Sequence, residues 1–255
     1  MFYDTFSSDY DHFVNWPGRL ALEIPFLTGQ LRAIGAKSVL DAACGTGMHT
    51  LALSQAGFDA AGADLSAGMI ARAMENSQAV GLQIPFKTAG FGELSAAFGP
   101  ESFDALFCLG NSLPHLLSPE LLSAALADFA LVLKPGGLVI IQNRNFDSVM
   151  ANHQRWMEPQ SAREDQTEWL FQRFYDFEPD GQLTFNVVTL RREAEGVWTQ
   201  SIRSTQLRPL LAAELQTSFQ GAGFESITCY GDLAGSIFNS SSSGNLVITA
   251  QRLKK

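Results

Sequence analysis

The sequence predicts an α/β protein: a doubly wound, mostly parallel sheet of seven strands, with an antiparallel segment inserted late in the chain. Three observations predict it. Short apolar runs alternate with helical stretches from residue 38 to residue 142, the pattern of parallel strands joined by crossover helices. A glycine-rich turn, Ala43-Cys44-Gly45-Thr46-Gly47, stands where the first strand hands over to a helix. Between residues 169 and 207 the pattern changes to three extended stretches, separated by the hairpin signals Asp180-Gly181 and Glu195-Gly196.

The elements follow in order. Residues 1–18 are rich in aromatic and acidic side chains and end at Pro17-Gly18. Helical spacing of apolar residues occupies 19–34 and stops at Gly35. A strand is expected over 38–40, a helix over 46–55 closed by Gly57, and a second strand over 58–63. Ser66 caps a helix that runs to about residue 80, before Gly81. Residues 84–88 and 103–107 are the third and fourth strands, 119–133 a helix, and 137–142 the fifth strand. The extended stretches 169–177, 182–192 and 197–207 read as a meander, with Phe171, Phe174 and Phe185 as its buried face. A helix over 211–222 and strands over 226–230 and 246–251 complete the sheet, with residues 240–244 as a connection. The expected organisation is a single domain with N-terminal cap helices over 1–35. Its α/β core spans 36–144 and 208–255, and an inserted antiparallel lid spans 145–207.

Bulk properties narrow the function. At 255 residues, 46% apolar and 17% charged, the chain has the composition of an ordinary soluble globular protein. Its net charge of −9, with no basic run beyond Lys254-Lys255, repels phosphate backbones, so nucleic acid is not an expected partner. No stretch of about 18 apolar residues suggests a membrane span, and Met1-Phe2-Tyr3-Asp4-Thr5 lacks the basic start of a signal peptide. Cys44, Cys108 and Cys229 lie far apart with no C-x-x-C pair. That suggests neither a zinc site nor a disulfide framework and fits a cytoplasmic protein with reduced thiols. No acidic cluster has metal-ligand spacing, so no metal is expected. The sequence leaves oligomeric state open; a homo-oligomer is compatible with it.

The glycine-rich turn carries the cofactor expectation. Gly45 and Gly47 let the backbone turn tightly and approach a ligand, next to the free N–H groups of a helix start. A dinucleotide fingerprint would place a third glycine where this chain has Thr50. Asp41 instead points an acid at the turn, where it can meet an ammonium group. That suits the amino-acid end of S-adenosylmethionine. Asp64 ends the second strand about 20 residues beyond the glycines, where an acid accepts both ribose hydroxyls. The other reading of Asp64 is a simple helix-start acid. Leu65 and Met69 follow and can pack on adenine. After the fourth strand, Cys108-Leu109-Gly110-Asn111-Ser112-Leu113-Pro114-His115 supplies Asn111, with one acceptor and one amide donor group. His115 can orient the loop or shuttle a proton. A loop that merely satisfies its own backbone is the alternative for both.

Asp41-Ala42-Ala43-Cys44-Gly45-Thr46-Gly47 resembles motif I of class I methyltransferases, and Leu133-Lys134-Pro135-Gly136-Gly137-Leu138 the turn before their fifth strand. Cys108-Leu109-Gly110-Asn111-Ser112 with His115, Arg144-Asn145-Phe146-Asp147, and Gly221-Ala222-Gly223-Phe224 with Tyr230-Gly231-Asp232 are similar to segments of glycine and sarcosine N-methyltransferases. The resemblance covers nearly the whole chain. It implies a Rossmann-like methyltransferase fold, S-adenosylmethionine as cofactor, and transfer to the nitrogen of a small amine or amino acid. It further implies that Arg19 holds the cofactor carboxylate and that Tyr10 helps close over it. Ala43, Gly45, Asp64 and Leu109 would line the cofactor site. Asn111 and Arg144 would face the acceptor, with Arg144 clamping a carboxylate; a loop-ordering salt bridge is the plainer role for Arg144. Three residues depart from the pattern. Gly90 of Ala89-Gly90-Phe91 stands where the superfamily often has an aspartate for the adenine amino group, so the base should be held by backbone at Gly90 and packing at Phe91. Phe146 replaces a tyrosine, and so does Arg208. A non-catalytic protein that binds S-adenosylmethionine or S-adenosylhomocysteine, and a nicotinamide-dependent oxidoreductase, are the alternatives.

Overall fold

The computed structural model describes residues 7–194 and 196–254, with side chains from residue 10 onward. The readings on Met1-Phe2-Tyr3-Asp4-Thr5, Glu195 and Lys255 lie outside the described residues. The main sheet has seven strands: β1 (Ser38–Ala42), β2 (Asp59–Asp64), β3 (Phe86–Thr88), β4 (Phe103–Cys108), β5 (Leu133–Arg144), β10 (Phe224–Tyr230) and β11 (Asn245–Arg252). Their order is β10-β11-β5-β4-β1-β2-β3. The pairs from β5 to β3 are parallel, while β11 runs antiparallel to both β5 and β10. The strand order reverses between β1 and β4, the place where an open α/β sheet forms its ligand crevice. This is the expected fold class.

Both faces of the sheet are covered, which is why its strands read as continuous apolar runs. On one face Leu40, Leu106, Val139 and Ile141 pack against α5 (Leu94–Phe98), α6 (Pro119–Val132) and α8 (Ala212–Gly221). On the other, Val39, Phe107 and Ile140 pack against α2 (Trp16–Ala33) and α3 (Met48–Gln55). The helix α4 (Ala67–Ala79) starts as expected: Ser66 Oγ accepts the Met69 N–H at 3.2 Å. Among the described residues no helix is long and apolar enough to cross a membrane.

Several short elements escaped the sequence reading. The helix α1 (Ser7–Phe13) is separate from α2, and Pro17 sits in the first turn of α2 rather than ending the segment before it. Proline is tolerated there because first-turn N–H groups have no helical partner. A 3₁₀ turn spans Leu113–His115, and α7 spans Phe146–Ala151.

A second, four-stranded antiparallel sheet stands between β5 and α8 in sequence: β6 (Gln160–Glu164), β7 (Thr167–Phe177), β8 (Leu183–Glu193) and β9 (Thr199–Leu207), paired in that order. The sequence reading found three of these. β6 is a mostly polar edge strand, Gln-Ser-Ala-Arg-Glu, with no alternation to betray it. Trp169, Phe171, Arg173 and Tyr175 share one face of β7, and register brings Phe185 opposite Tyr175 and Thr205 opposite Phe185. Phe171 and Phe185 are thus on the inner face, as expected. Phe174 is not: its odd spacing from Phe171 turns it outward, where it packs on Trp156 with ring centroids 5.0 Å apart.

Candidate cofactor and acceptor site

A cavity of about 400 Å³ opens at the carboxyl ends of the parallel strands, within the usual size range of small-molecule sites. Its floor is the turn after β1. Ala43, Gly45 and Gly47 all have positive φ there, at 66°, 56° and 80°. A Cβ on Gly45 would lie 3.8 Å from the Tyr10 ring, so the backbone and that ring face each other across a narrow gap. Gly47 does another job. It is the N-cap of α3, and a Cβ there would strike Ala73 at 2.9 Å and Phe86 at 3.0 Å. Its bareness lets α3 pack against α4 and β3; it does not line the cavity.

Asp64, at the end of β2, ties two turns together: Oδ2 accepts the Gly45 N–H and Oδ1 the Ser66 N–H, both at 2.9 Å. Asp41 is 2% exposed and accepts the Thr50 hydroxyl at 2.9 Å, and burial pushes its pKa up. Close by, Arg19 Nε donates to both oxygens of Glu23 at 3.1 Å, and the His49 ring meets Glu23 Oε2 at 2.6 Å. Burial works against the Glu23 charge, yet His49 and Arg19 together hold its carboxyl below the ordinary value. The Arg19 guanidinium also lies over the Trp16 ring, 5.4 Å from its centroid.

The roof at this end is α1. Asp11 Oδ1 accepts the Thr46 hydroxyl at 2.6 Å and the Trp16 indole N–H at 2.9 Å, while Oδ2 accepts Arg72 Nε–H at 3.2 Å. His12 stacks on Trp169 at 4.0 Å and Phe13 meets Phe171 edge-on, so α1 bridges the glycine turn and the second sheet. Burial raises the Tyr10 phenol above its ordinary pKa.

The loop after β4 closes the other side. Gly110 N–H donates to Gln142 Oε1 at 2.8 Å, and Asn111, at φ 66°, spends its carbonyl oxygen on the Arg144 main-chain N–H at 2.9 Å. Burial lowers the His115 pKa to about 4. Arg208 does not reach the site: it donates to the Leu116 carbonyl at 3.3 Å and pairs with Glu214, bracing this loop from behind. Phe146 is buried against Tyr175.

Most of the sequence-predicted residues therefore meet in one place. Tyr10, Arg19, Asp41, Ala43 and Gly45 line one end of the cavity, Asp64, Leu65, Met69, Gly90 and Phe91 the other, and Leu109 and His115 its side. Gly47, Asn111 and Arg144 do not line it. The sequence reading missed Trp16, His49, Glu93 and Thr205 in the wall. Only His49 left a signal, two residues past the second glycine; Thr205 arrives through the register of the second sheet. The donor set fits S-adenosylmethionine: a guanidinium and a carboxylate at one end, a carboxylate at the strand-end turn where a ribose would sit, and apolar side chains beyond.

The comparisons with known proteins agree. A methyltransferase-domain family matches residues 39–137. The glycine/sarcosine N-methyltransferase of Aphanothece halophytica is 32% identical over 227 residues, which span 89% of this chain and 81% of that one. The enzyme of the same name from Parasynechococcus marenigrum is 37% identical over 147 residues, but these span only 52% of its length. Among solved structures, an S-adenosylmethionine-dependent methyltransferase from Clostridium acetobutylicum superposes with a TM-score of 0.79 at 16% identity, covering 98% of this chain and 99% of that one. The S-adenosylmethionine-bound amino pentose methyltransferase CalS10 from Micromonospora echinaspora gives 0.67 at 20% identity over 97% and 96% of the chains. At such identities these two speak for the fold alone, and the family rests on the long match at 32% identity. The chain belongs to the S-adenosylmethionine-dependent methyltransferases and is related within them to the glycine/sarcosine N-methyltransferases.

Proposed function

We propose that this enzyme methylates the nitrogen of a small amino acid whose carboxylate is clamped by Arg144. The observation that carries this reading is the state of that guanidinium. Arg144 ends β5, its Nε is buried without a hydrogen-bond partner, and no carboxylate among the described residues pairs with it. This half-buried guanidinium keeps an inner N–H unused, and a planar guanidinium receives a carboxylate bidentately. The charge of Arg144 is felt by Arg173 and Tyr175 on the inner face of the second sheet. Burial keeps the Tyr175 phenol neutral, with a pKa of about 12, so it remains a donor. The names of the relatives, which act on glycine and sarcosine, support the same acceptor class.

In this reading Arg19 takes the cofactor carboxylate, Asp41 its ammonium group and Asp64 the ribose hydroxyls. Leu65, Met69, Gly90 and Phe91 flank the base, and Ala43, Gly45 and Leu109 shape the path between. Bound here, S-adenosylmethionine supplies a methyl group already activated by its sulfonium. The protein has to hold a neutral amine in line and exclude water, and such positioning supplies on the order of 7–11 kcal/mol. Asn111 acts through its Nδ2 and by fixing the main chain of Arg144. His115, with its lowered pKa, is neutral at physiological pH and orients the loop rather than shuttling a proton. Residues 1–35 act as a cap, 36–144 and 208–255 as the core, and 145–207 as a lid over the acceptor.

Screening amino acids and amines for production of S-adenosylhomocysteine tests the acceptor class. With an active acceptor in hand, Arg144→Lys should lower its kcat/KM by roughly 10- to 100-fold, the scale of one charged hydrogen-bonded contact. Affinity for S-adenosylhomocysteine should stay within about twofold, because Arg144 lies off the cofactor cavity. A best acceptor without an acidic group would overturn the clamp.

A further inference from the structure

Three carboxylates line the cavity among the described residues: Asp41, Asp64 and Glu93. Asp41 sits with Thr50 at the end that holds Arg19, and Asp64 at the turn between β2 and α4. Glu93 alone stands at the far end, past β3, beside Leu65, Gly90 and Phe91. An adenine placed there would have its faces against apolar side chains. Its exocyclic amino group, a hydrogen-bond donor, would still need an acceptor.

The geometry points to Glu93 as the residue that reads this amino group. A Cβ built on Gly90 would lie 3.6 Å from Glu93 Oε2, with the Leu65 Cδ1 at 3.0 Å. The Gly90 N–H donates to the same Oε2 at 2.8 Å. The Glu93 side chain thus folds back over Gly90, and its carboxylate fills the space that a short acidic side chain at position 90 would enter. The main-chain bond fixes one oxygen, and Oε1 has no partner among the described residues. Glu93 is also the N-cap residue of α5, yet its side chain makes no capping hydrogen bond. The carboxylate instead turns back onto the Gly90 N–H, at the wall of the cavity. Base recognition then rests on a side chain three residues downstream of Gly90, and not on backbone and packing alone. The inference rests on the assignment of this cavity to S-adenosylmethionine.

The test is calorimetry of the full chain with two ligands. One is S-adenosylhomocysteine; the other is its analogue with hydrogen in place of the 6-amino group. The wild type should prefer the amino form by roughly five- to tenfold, the low end for a charged acceptor because Glu93 is exposed. In Glu93→Ala the preference should shrink to within twofold, with affinity for the analogue unchanged. Gly90 has no positive φ, so a side chain there carries no backbone strain, and the Leu65 side chain it would touch is exposed and free to shift. Adding Gly90→Asp to Glu93→Ala should therefore restore the preference. The inference is overturned if Glu93→Ala keeps the preference, or weakens both ligands equally, which would make Glu93 only a brace for the Gly90 turn. A wild type that binds both ligands alike overturns it as well. A wild type that binds neither refutes the cofactor assignment itself.

Discussion

Asp64 and the Arg19–Glu23–His49 chain show how single side chains set this cavity. Asp64 already carries two main-chain amides, so its orientation is fixed before any ligand arrives. Asp64→Ala should weaken binding of S-adenosylhomocysteine by about 1.5–3 kcal/mol, tenfold or more, with the circular dichroism spectrum retained. Unchanged affinity would remove Asp64 from the site. Glu23 holds Arg19 by both oxygens and is itself held by His49. Glu23→Gln should lower cofactor affinity several-fold through a mispositioned Arg19, leaving acceptor KM untouched at saturating cofactor; an acceptor effect would point to a different role. His115 predicts a pH effect. Its folded pKa of about 4 lies below the ordinary imidazole value of about 6.5. Between those values the unfolded chain takes up a proton that the buried ring does not, so stability falls as pH falls through this window and levels off below it. At pH 5 the loss from this one group is at most about 2 kcal/mol. Urea unfolding at pH 7 and pH 5 should therefore show a smaller drop for His115→Gln than for the wild type, and equal drops would contradict the burial argument. Asp41 and Asp64 were legible in the sequence because a strand end fixes where each points, and Gly45 because a tight turn with positive φ calls for glycine. Glu93 was not, because its relation to Gly90 depends on how its side chain folds.

Among the elements, α1 has the most to do for its length. It is a seven-residue helix, too short to persist alone. What holds it is tertiary: Asp11 reaches Thr46, Trp16 and Arg72, and His12 and Phe13 pack on Trp169 and Phe171. Asp11→Ala removes the contact that pins it to the glycine turn. That variant should bind S-adenosylhomocysteine several-fold more weakly and be cut faster by chymotrypsin at Tyr10 and Phe13, while its global unfolding midpoint moves little. A variant with wild-type affinity and cleavage would mean that the aromatic contacts alone hold the helix. The parallel strands were easy to read because burial on both faces writes unbroken apolar runs. The short elements were not: α1, α5, α7 and β6 have too few residues to display a period, and their positions are set by partners distant in sequence. Pro17 was misread for a related reason, since proline can either end a segment or open a helix.

At the scale of the whole molecule, the question is whether the second sheet could exist without the first. Its inner face carries Trp169, Phe171, Tyr175, Val187 and Leu207, all buried, and the same face delivers Thr205 to the cavity wall. Some of that burial comes from outside the segment. Tyr10 and Phe13 pack onto the Trp169 and Phe171 cluster, and Arg208, the residue after β9, donates its N–H to the Pro114 carbonyl of the loop after β4. Arg173 on this face lies over the Phe13 ring of α1, with its Nε buried and unpartnered. A four-stranded sheet can bury one face on its own only by curling or stacking, and this one instead uses the α/β core and α1 as its second layer. Removed from them, it would expose three large aromatic side chains and an arginine that now sit under cover. Residues 145–207 expressed alone should therefore show no cooperative thermal transition. In the intact chain, by contrast, a single transition should carry the tryptophan signals of Trp16, on α2, and Trp169, on β7, together. A cooperative unfolding curve from the isolated segment, or two separate transitions in the whole protein, would make residues 145–207 an independent domain and would end the lid reading.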